Sequence, residues 1–154
     1  MIVQPSLIEI FDRDLQLLER EIAAYDRETD LWRRADGISN SAGNLCLHLC
    51  GNLQHFIGAA LGNTGYVRQR DLEFSTQNTP RTELLAHLQD TRNTVRQTLT
   101  AMLPADFDKT YPLPFPKPTE TVNTTFMLLH LLAHLSYHLG QINYHRRLLA
   151  INND

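Results

Sequence analysis

The stretch from Phe126 to Ile151 reads FMLLHLLAHLSYHLGQINYHRRLLAI and contains neither proline nor acid. It is long enough for a helix of about seven turns. At about 100° per residue, His130, His134, His138, Gln141 and His145 fall within about 80° of one another, on one stripe. A buried imidazole needs a partner for each ring nitrogen, so several on one otherwise apolar face are costly unless something binds them. The pattern points to a metal site inside a helical bundle.

The rest of the chain supplies three more helices. Ser6 reads as the N-cap of helix 1 and Glu9 as the N3 residue of a capping box. Ile8, Phe11, Leu15, Leu18, Ile22 and Tyr25 follow at steps of three and four, which makes one apolar stripe. Asp12, Arg13, Glu19 and Arg20 read as a solvated face. Glu28 to Asn40 is a connection, and Trp32, the only tryptophan, reads as a hydrophobic plug over one end of the bundle. Helix 2 runs from Ala42 to Leu61 and stops at Gly62-Asn63-Thr64-Gly65.

Tyr66 to Asn78 forms a long connection, so helix 3 need not pair with helix 2 as an antiparallel hairpin. Helix 3 opens with Thr79 as N-cap and Pro80 at N1. It carries the stripe Leu84, Leu88, Val95, Leu99 and Met102, with His87 off it on the surface. Pro104 to Thr119 holds five of the seven prolines. Alternate prolines enforce an extended path, which reads as a strap leading to helix 4. The expected architecture is an all-α four-helix bundle, a single domain over residues 1–154, with long connections between helices 2 and 3 and between helices 3 and 4.

Composition narrows the function. A net charge of −3 offers no basic face for nucleic acid. No segment is apolar enough for a bilayer, because the last helix also carries its histidines, Ser136, Gln141 and Asn143. The start, MIVQPSLIEI, has no basic region followed by a signal-length apolar run. Cys46 and Cys50 stand i,i+4 on one helix, a poor geometry for a disulfide. A cytoplasmic protein is expected.

Within the histidine set, His134 and His138 are i,i+4, about 6 Å apart in rise, so both rings can converge on one ion. His130 can pair with His134 in the same way, whereas His145 lies about 10 Å beyond His138, out of reach. A third ligand must come from a neighbouring helix, and His48 is the best placed, with Asn44 and Asn52 beside it. His55 shares that face at another level, about 10 Å away. Cys46 and Cys50 lie about 160° round from His48 and read as small hydrophobes. Three imidazoles with a fourth position open suit zinc in a catalytic site, and nickel, iron or cobalt also accept such ligands. A di-iron carboxylate centre needs Glu-x-x-His pairs that this chain lacks. HExxH is absent, which removes a zincin-type base.

Gly43-Asn44-Leu45-Cys46-Leu47-His48-Leu49-Cys50-Gly51-Asn52 resembles the second-helix motif of the DinB/YfiT-like metalloenzyme family. Ala133-His134-Leu135-Ser136-Tyr137-His138-Leu139-Gly140-Gln141-Ile142 resembles its fourth-helix H-x-x-x-H-x-G-Q-I motif. Tyr66 to Phe74 is similar to a segment of one uncharacterised DinB-like branch. The resemblance implies a four-helix bundle with a three-histidine divalent site, whose ligands carry over to His48, His134 and His138. Characterised relatives include S-transferases and isomerases that use bacillithiol, mycothiol or glutathione.

The expected function is therefore transfer of a low-molecular-weight thiol to a small electrophile, with a divalent metal, zinc or nickel foremost, as cofactor. Gln141 or Asn52 would orient ligands, and Gly140 would admit a neighbouring helix closely. Metal-assisted hydrolysis, with His55 or His130 as base, and a non-catalytic metal-binding bundle are the alternatives. The expected partners are a small-molecule substrate and the thiol, without nucleic acid or membrane; a homodimer is allowed for.

Overall fold

The computed structural model describes residues 3–34, 36–114 and 121–151. Its helices are α1 (Gln4–Ala23), α2 (residues 42–62), α3 (Arg70–Ser75), α4 (Arg81–Ala101) and α5 (Thr124–Ile151). The four long ones form the expected bundle, and α3 is a short helix inside the connection that follows α2. Among the described residues the only extended pairing is a bridge between Thr110 and Asn123. No helix is long and apolar enough to cross a membrane.

Two helix starts differ from expectation, and long-range contacts form at both. α1 begins at Gln4 rather than after Ser6, with Val3 at the cap position and no side-chain cap bond. Gln4 Nε2 donates to Leu99 O at 2.6 Å and to Met102 O at 3.0 Å, which ties this end of α1 to the end of α4. Ser6 is an exposed helical residue. α4 begins one residue later than expected, with Pro80 at the cap, and Arg81 N donates to Glu28 Oε1 at 2.9 Å.

The apolar stripe of α1 also turns slightly, burying Leu7 in place of Ile8. Two of the charges expected to be solvated face α4 instead. Asp12 accepts from Arg92 Nε at 2.7 Å, and Glu19 lies 3.9 Å from the same guanidinium.

Side-chain pairs fix the helix directions. Ser136 donates to Asp14 at 2.6 Å, Asn143 to Glu21 at 2.8 Å, and Tyr25 meets His145 at 2.7 Å, so α1 and α5 run parallel. Arg81 Nη2 donates to Tyr25 O at 2.6 Å while Gln4 reaches the other end of α4, so α1 and α4 are antiparallel. Gly58 faces Thr94 and Gly62 faces Thr98, so α2 and α4 are parallel. The order is up-down-down-up. A parallel pair consecutive in sequence needs a connection that returns along the bundle, which is what residues 63–80 provide.

Trp32 lies against the start of α2, where a Cβ on Gly43 would come within 2.8 Å of the indole ring. Residues 104–114 carry a 3-10 turn, Pro104–Phe107, and Tyr111, whose hydroxyl donates to Phe56 O at 2.6 Å. That carbonyl belongs to a π-helical stretch of α2, Gln54–Ala59, where the wider turn releases backbone groups from the regular ladder. The rest of the expected strap, residues 115–119, lies outside the described residues.

α5 is not a uniformly buried helix. Leu129 and Tyr137 are exposed, as are His130, Gly140 and Gln141. Gly140 faces open space: no described residue comes within 4 Å of where its Cβ would stand, so it does not serve helix packing within this chain as expected. His145 is buried in a closed network: Tyr25 OH lies 2.7 Å from its Nδ1, and Nε2 donates to Arg33 O at 3.0 Å. This histidine joins the ends of α1 and α5 to the first connection. Tyr25→Phe should destabilise the protein by about 1–3 kcal/mol, since it strands the buried Nδ1. Urea denaturation checks this.

Candidate metal centre

His48 from α2 meets His134 and His138 from α5, and their Nε2 atoms converge. His134 Nε2 stands 3.2 Å from His48 Nε2 and 3.1 Å from His138 Nε2. His48 is buried and the other two are half-buried. Antiparallel packing of α2 on α5 brings the one-helix pair and the third ring to the same level.

The remaining ring nitrogens determine what the convergent atoms can do. His48 Nδ1 lies 2.9 Å from Glu73 Oε2. Burial alone would raise the Glu73 carboxyl, yet hydrogen bonds from Arg68 and His48 outweigh it and hold the group below its ordinary value. An ionised carboxylate only accepts, so His48 carries its proton on Nδ1 and turns the Nε2 lone pair inward. Arg68 Nη2 is 3.3 Å from the same Nδ1, but it already donates to Oε2 at 2.8 Å, the atom both groups share.

Gln141 does the same for His138. Its Nε2 donates to Tyr137 OH at 3.2 Å, which leaves Oε1 to accept from His138 Nδ1 at 2.6 Å. Two lone pairs therefore face His134 Nε2, whose single proton can satisfy at most one, while His134 Nδ1 is buried without a partner among the described residues. The cluster has more acceptors than donors, and a cation supplies what it lacks. Burial first, then the charges of His138, His48, His130 and Arg68, lower His134 to about 4. Burial likewise lowers His138, against the Gln141 bond. The two rings on α5 are thus held as neutral imidazole, the form a divalent ion requires.

Among the described residues no acid or cysteine joins this group. Cys46 and Cys50 are buried free thiols, and the hydrogen bond that the Cys46 thiol makes to Cys50, followed by burial, pushes the Cys46 thiol well up. Their reading as small hydrophobes fits.

The other expected site residues divide. Gln141 touches a ligand ring. Asn52 is buried with Oδ1 unpartnered, and His55 is half-buried on the π-helical stretch against Phe56, its Nδ1 also unpartnered among the described residues. Neither belongs to the convergent trio. His130 is exposed one turn before His134 and is not part of the convergent trio.

Sequence reasoning missed Glu73 and Arg68, which fall within the connection from Tyr66 to Asn78. Glu73 is buried, and Arg68 grips it through two bonds, Nε at 2.7 Å and Nη2 at 2.8 Å. Asn44 Nδ2 holds α3 in place by donating to Glu73 O at 3.0 Å and Thr76 O at 2.8 Å. Phe74 covers the His48 ring, centroids 4.9 Å apart. One signal was present in the sequence: Gly51, three residues past His48. A Cβ there would stand 2.8 Å from Glu73 Cδ and closer still to Oε1, so the glycine is what admits the carboxylate.

Next to Gln141, a cavity of about 530 Å³ is lined by Leu45, Tyr137, Gly140, Gln141 and Tyr144 together with the loop at residues 37–40, and none of the three histidines is among its lining. Long helices around three convergent imidazoles, two of them oriented by an outer carboxylate and an amide, define a helical bundle fitted to hold a metal ion. The DinB superfamily profile matches residues 10–142, and the chain belongs to that superfamily. No curated protein matches it.

Two outcomes are expected. Glu73→Ala should weaken zinc or nickel binding about 10–100-fold, as removing an outer partner of a ligand does, and Gly51→Ala should act in the same direction by displacing the carboxylate. Competition titration with a chromogenic chelator measures both.

The second outcome concerns pH. An imidazole in the unfolded chain takes a proton near pH 6.5, whereas folded His134 stays neutral to about 4. The stability it contributes is fully present above pH 6.5 and is lost as pH falls towards 4. For the metal-free protein the loss is at most on the order of 3 kcal/mol. Denaturation at pH 7 and 4.5 should show it, with a smaller loss in His134→Gln.

Proposed function

We propose that the protein is a metal-dependent enzyme that transfers a low-molecular-weight thiol to a small electrophile, with His48, His134 and His138 holding a divalent ion, zinc or nickel. When bound, such an ion supplies positive charge that lowers the pKa of a thiol from about 8.5. The protein's own part is positioning. Glu73 keeps the proton of His48 on Nδ1, Gln141 keeps that of His138 on Nδ1, and both Nε2 lone pairs stay aimed at one point. Half-burial of the α5 pair holds the rings neutral.

The observation that carries this reading is that the buried carboxylate beside the site is already engaged. Glu73 accepts from both Arg68 and His48, so it is not free to take a proton from water as hydrolysis would ask. A thiol needs no such base, because its own acidity lies within reach of a nearby positive charge. The cavity beside Gln141 offers room for the substrate.

Elemental analysis and a thiol-transfer screen test the proposal. Purified protein should carry about one divalent ion per chain, and His48→Ala and His134→Ala should lose it while keeping helical circular dichroism. Metal-loaded protein should accelerate the loss of bacillithiol, mycothiol or glutathione in the presence of an aryl halide, and both variants should return the rate to background. Background rates with every thiol on the loaded protein would remove the transferase reading, and undiminished metal in both variants would remove the ligand assignment.

A further inference from the structure

The cavity next to Gln141 has a lining whose chemistry narrows what it can hold. At about 530 Å³ it falls within the range of small-molecule sites. Its lining contains no Asp, Glu, Lys or Arg, so a charged ligand would leave water without meeting a counter-charge. His145 reaches the cavity too, but Tyr25 and the Arg33 carbonyl already occupy both of its ring nitrogens. Ile38, Leu45, Tyr137 and Tyr144 supply apolar surface. Tyr137, Gly140 and Tyr144 stand at steps of three and four, on one side of α5. Both tyrosines are 64% exposed, and between them the backbone is bare: no described residue comes within 4 Å of where a Gly140 Cβ would stand. Mid-helix glycine weakens a helix, and here that cost is matched by the open floor it leaves in the cavity.

We infer that this cavity seats the electrophile as an uncharged aromatic ring carrying an electron-withdrawing acceptor group, such as nitro or carbonyl. The ring's role as electrophile rests on the transferase reading, whereas its binding needs neither thiol nor turnover. Tyr137 and Tyr144 are about 10 Å apart along the helix axis. A flat ring needs about 3.5–4 Å to each neighbour, so one ring fits between the two and lies over Gly140. Offset and edge-to-face contacts with the phenols favour an aromatic occupant, and their negative faces suit an electron-poor one. A chain of hydrogen bonds sets the polar end. Tyr137 OH accepts from Gln141 Nε2 at 3.2 Å, so its own proton is left for an acceptor on the ring. Gln141 Oε1 in turn accepts from His138 Nδ1 at 2.6 Å, and the Tyr137 and His138 rings lie 5.2 Å apart. A ring bound on Tyr137 is therefore held next to the metal centre, by the same kind of group that activates an aromatic carbon towards a thiolate.

Titration of the full-length protein as purified with meta-dinitrobenzene, in the absence of thiol, tests this through backbone amide resonances in two-dimensional NMR. The Gly140 and Tyr144 amides should shift and saturate with a Kd of about 1 mM or tighter, the scale expected for a ligand of this size. The charged analogue meta-nitrobenzoate should bind about tenfold more weakly or worse, for want of a counter-charge. Gly140→Leu fills the floor. The chain has space for the new side chain, so the melting temperature should not fall, yet dinitrobenzene binding should weaken about tenfold or more. Tyr144→Ala removes one aromatic wall and should weaken it about two- to tenfold. No shift at Gly140 or Tyr144 up to the solubility of dinitrobenzene would overturn the assignment. So would equal affinity for nitrobenzoate, or undiminished binding in Gly140→Leu. A negative thiol-transfer screen beside intact dinitrobenzene binding would strike the transferase reading and leave the aromatic site standing; thiol transfer without binding here would do the reverse.

Discussion

The hydrogen bond between Glu73 and His48 is the constraint on which the centre depends. A carboxylate removed from water is expensive unless its oxygens are filled. Here Arg68 occupies both oxygens and His48 takes a further position on one of them. The cost of burial is offset, and a direction is gained: His48 has its proton fixed on the outer nitrogen and its lone pair fixed inward. The same contact ties the connection after α2 to the helix that carries the ligand. α3, too short to be stable alone, is held against α2 by this bond and by the Asn44 amide.

That arrangement follows from the direction of the helices. Because α2 and α4 run parallel, the chain must travel back along the bundle between them, and the return path passes the outer face of His48. An antiparallel hairpin would have had no backbone there to offer an acid. Gly51 completes the fit by leaving the helix surface bare where the carboxylate lies. The long connection is thus a structural part of the centre.

Much of this was legible beforehand. Periodicity located the four long helices, and the i,i+4 spacing of His134 and His138, with His48 across from them, located the trio that the structure brings together. The errors share a cause. Ser6 and Thr79 looked like caps from local chemistry, but α1 starts at Gln4 with no side-chain cap, and at the start of α4 it is Glu28, from a distant part of the chain, that accepts from Arg81 N. Glu73 was passed over because sequence spacing says nothing about which connection crosses which face. Asp12 and Glu19 looked solvated because an i,i+4 pattern cannot reveal an arginine on another helix.

The histidines of α5 show how similar positions acquire different roles. All four lie near one stripe, yet completeness of hydrogen bonding separates them more sharply than helical angle does. His145 has Tyr25 on one nitrogen and a backbone carbonyl on the other, so it closes the fold and has nothing left to offer a ligand. His138 and, on α2, His48 each have one nitrogen engaged by an outer acceptor and the other turned towards the convergent point. His134 sits between them with too few protons to satisfy both and with Nδ1 unpartnered among the described residues. The hydrophobic core, built on residues such as Phe11, Leu18, Leu49, Leu88 and Leu135, does not require that unmet demand. A bundle selected for stability alone would fill these three positions with apolar side chains. The incomplete pairing is therefore the feature that separates this part of the stripe from the rest of the core.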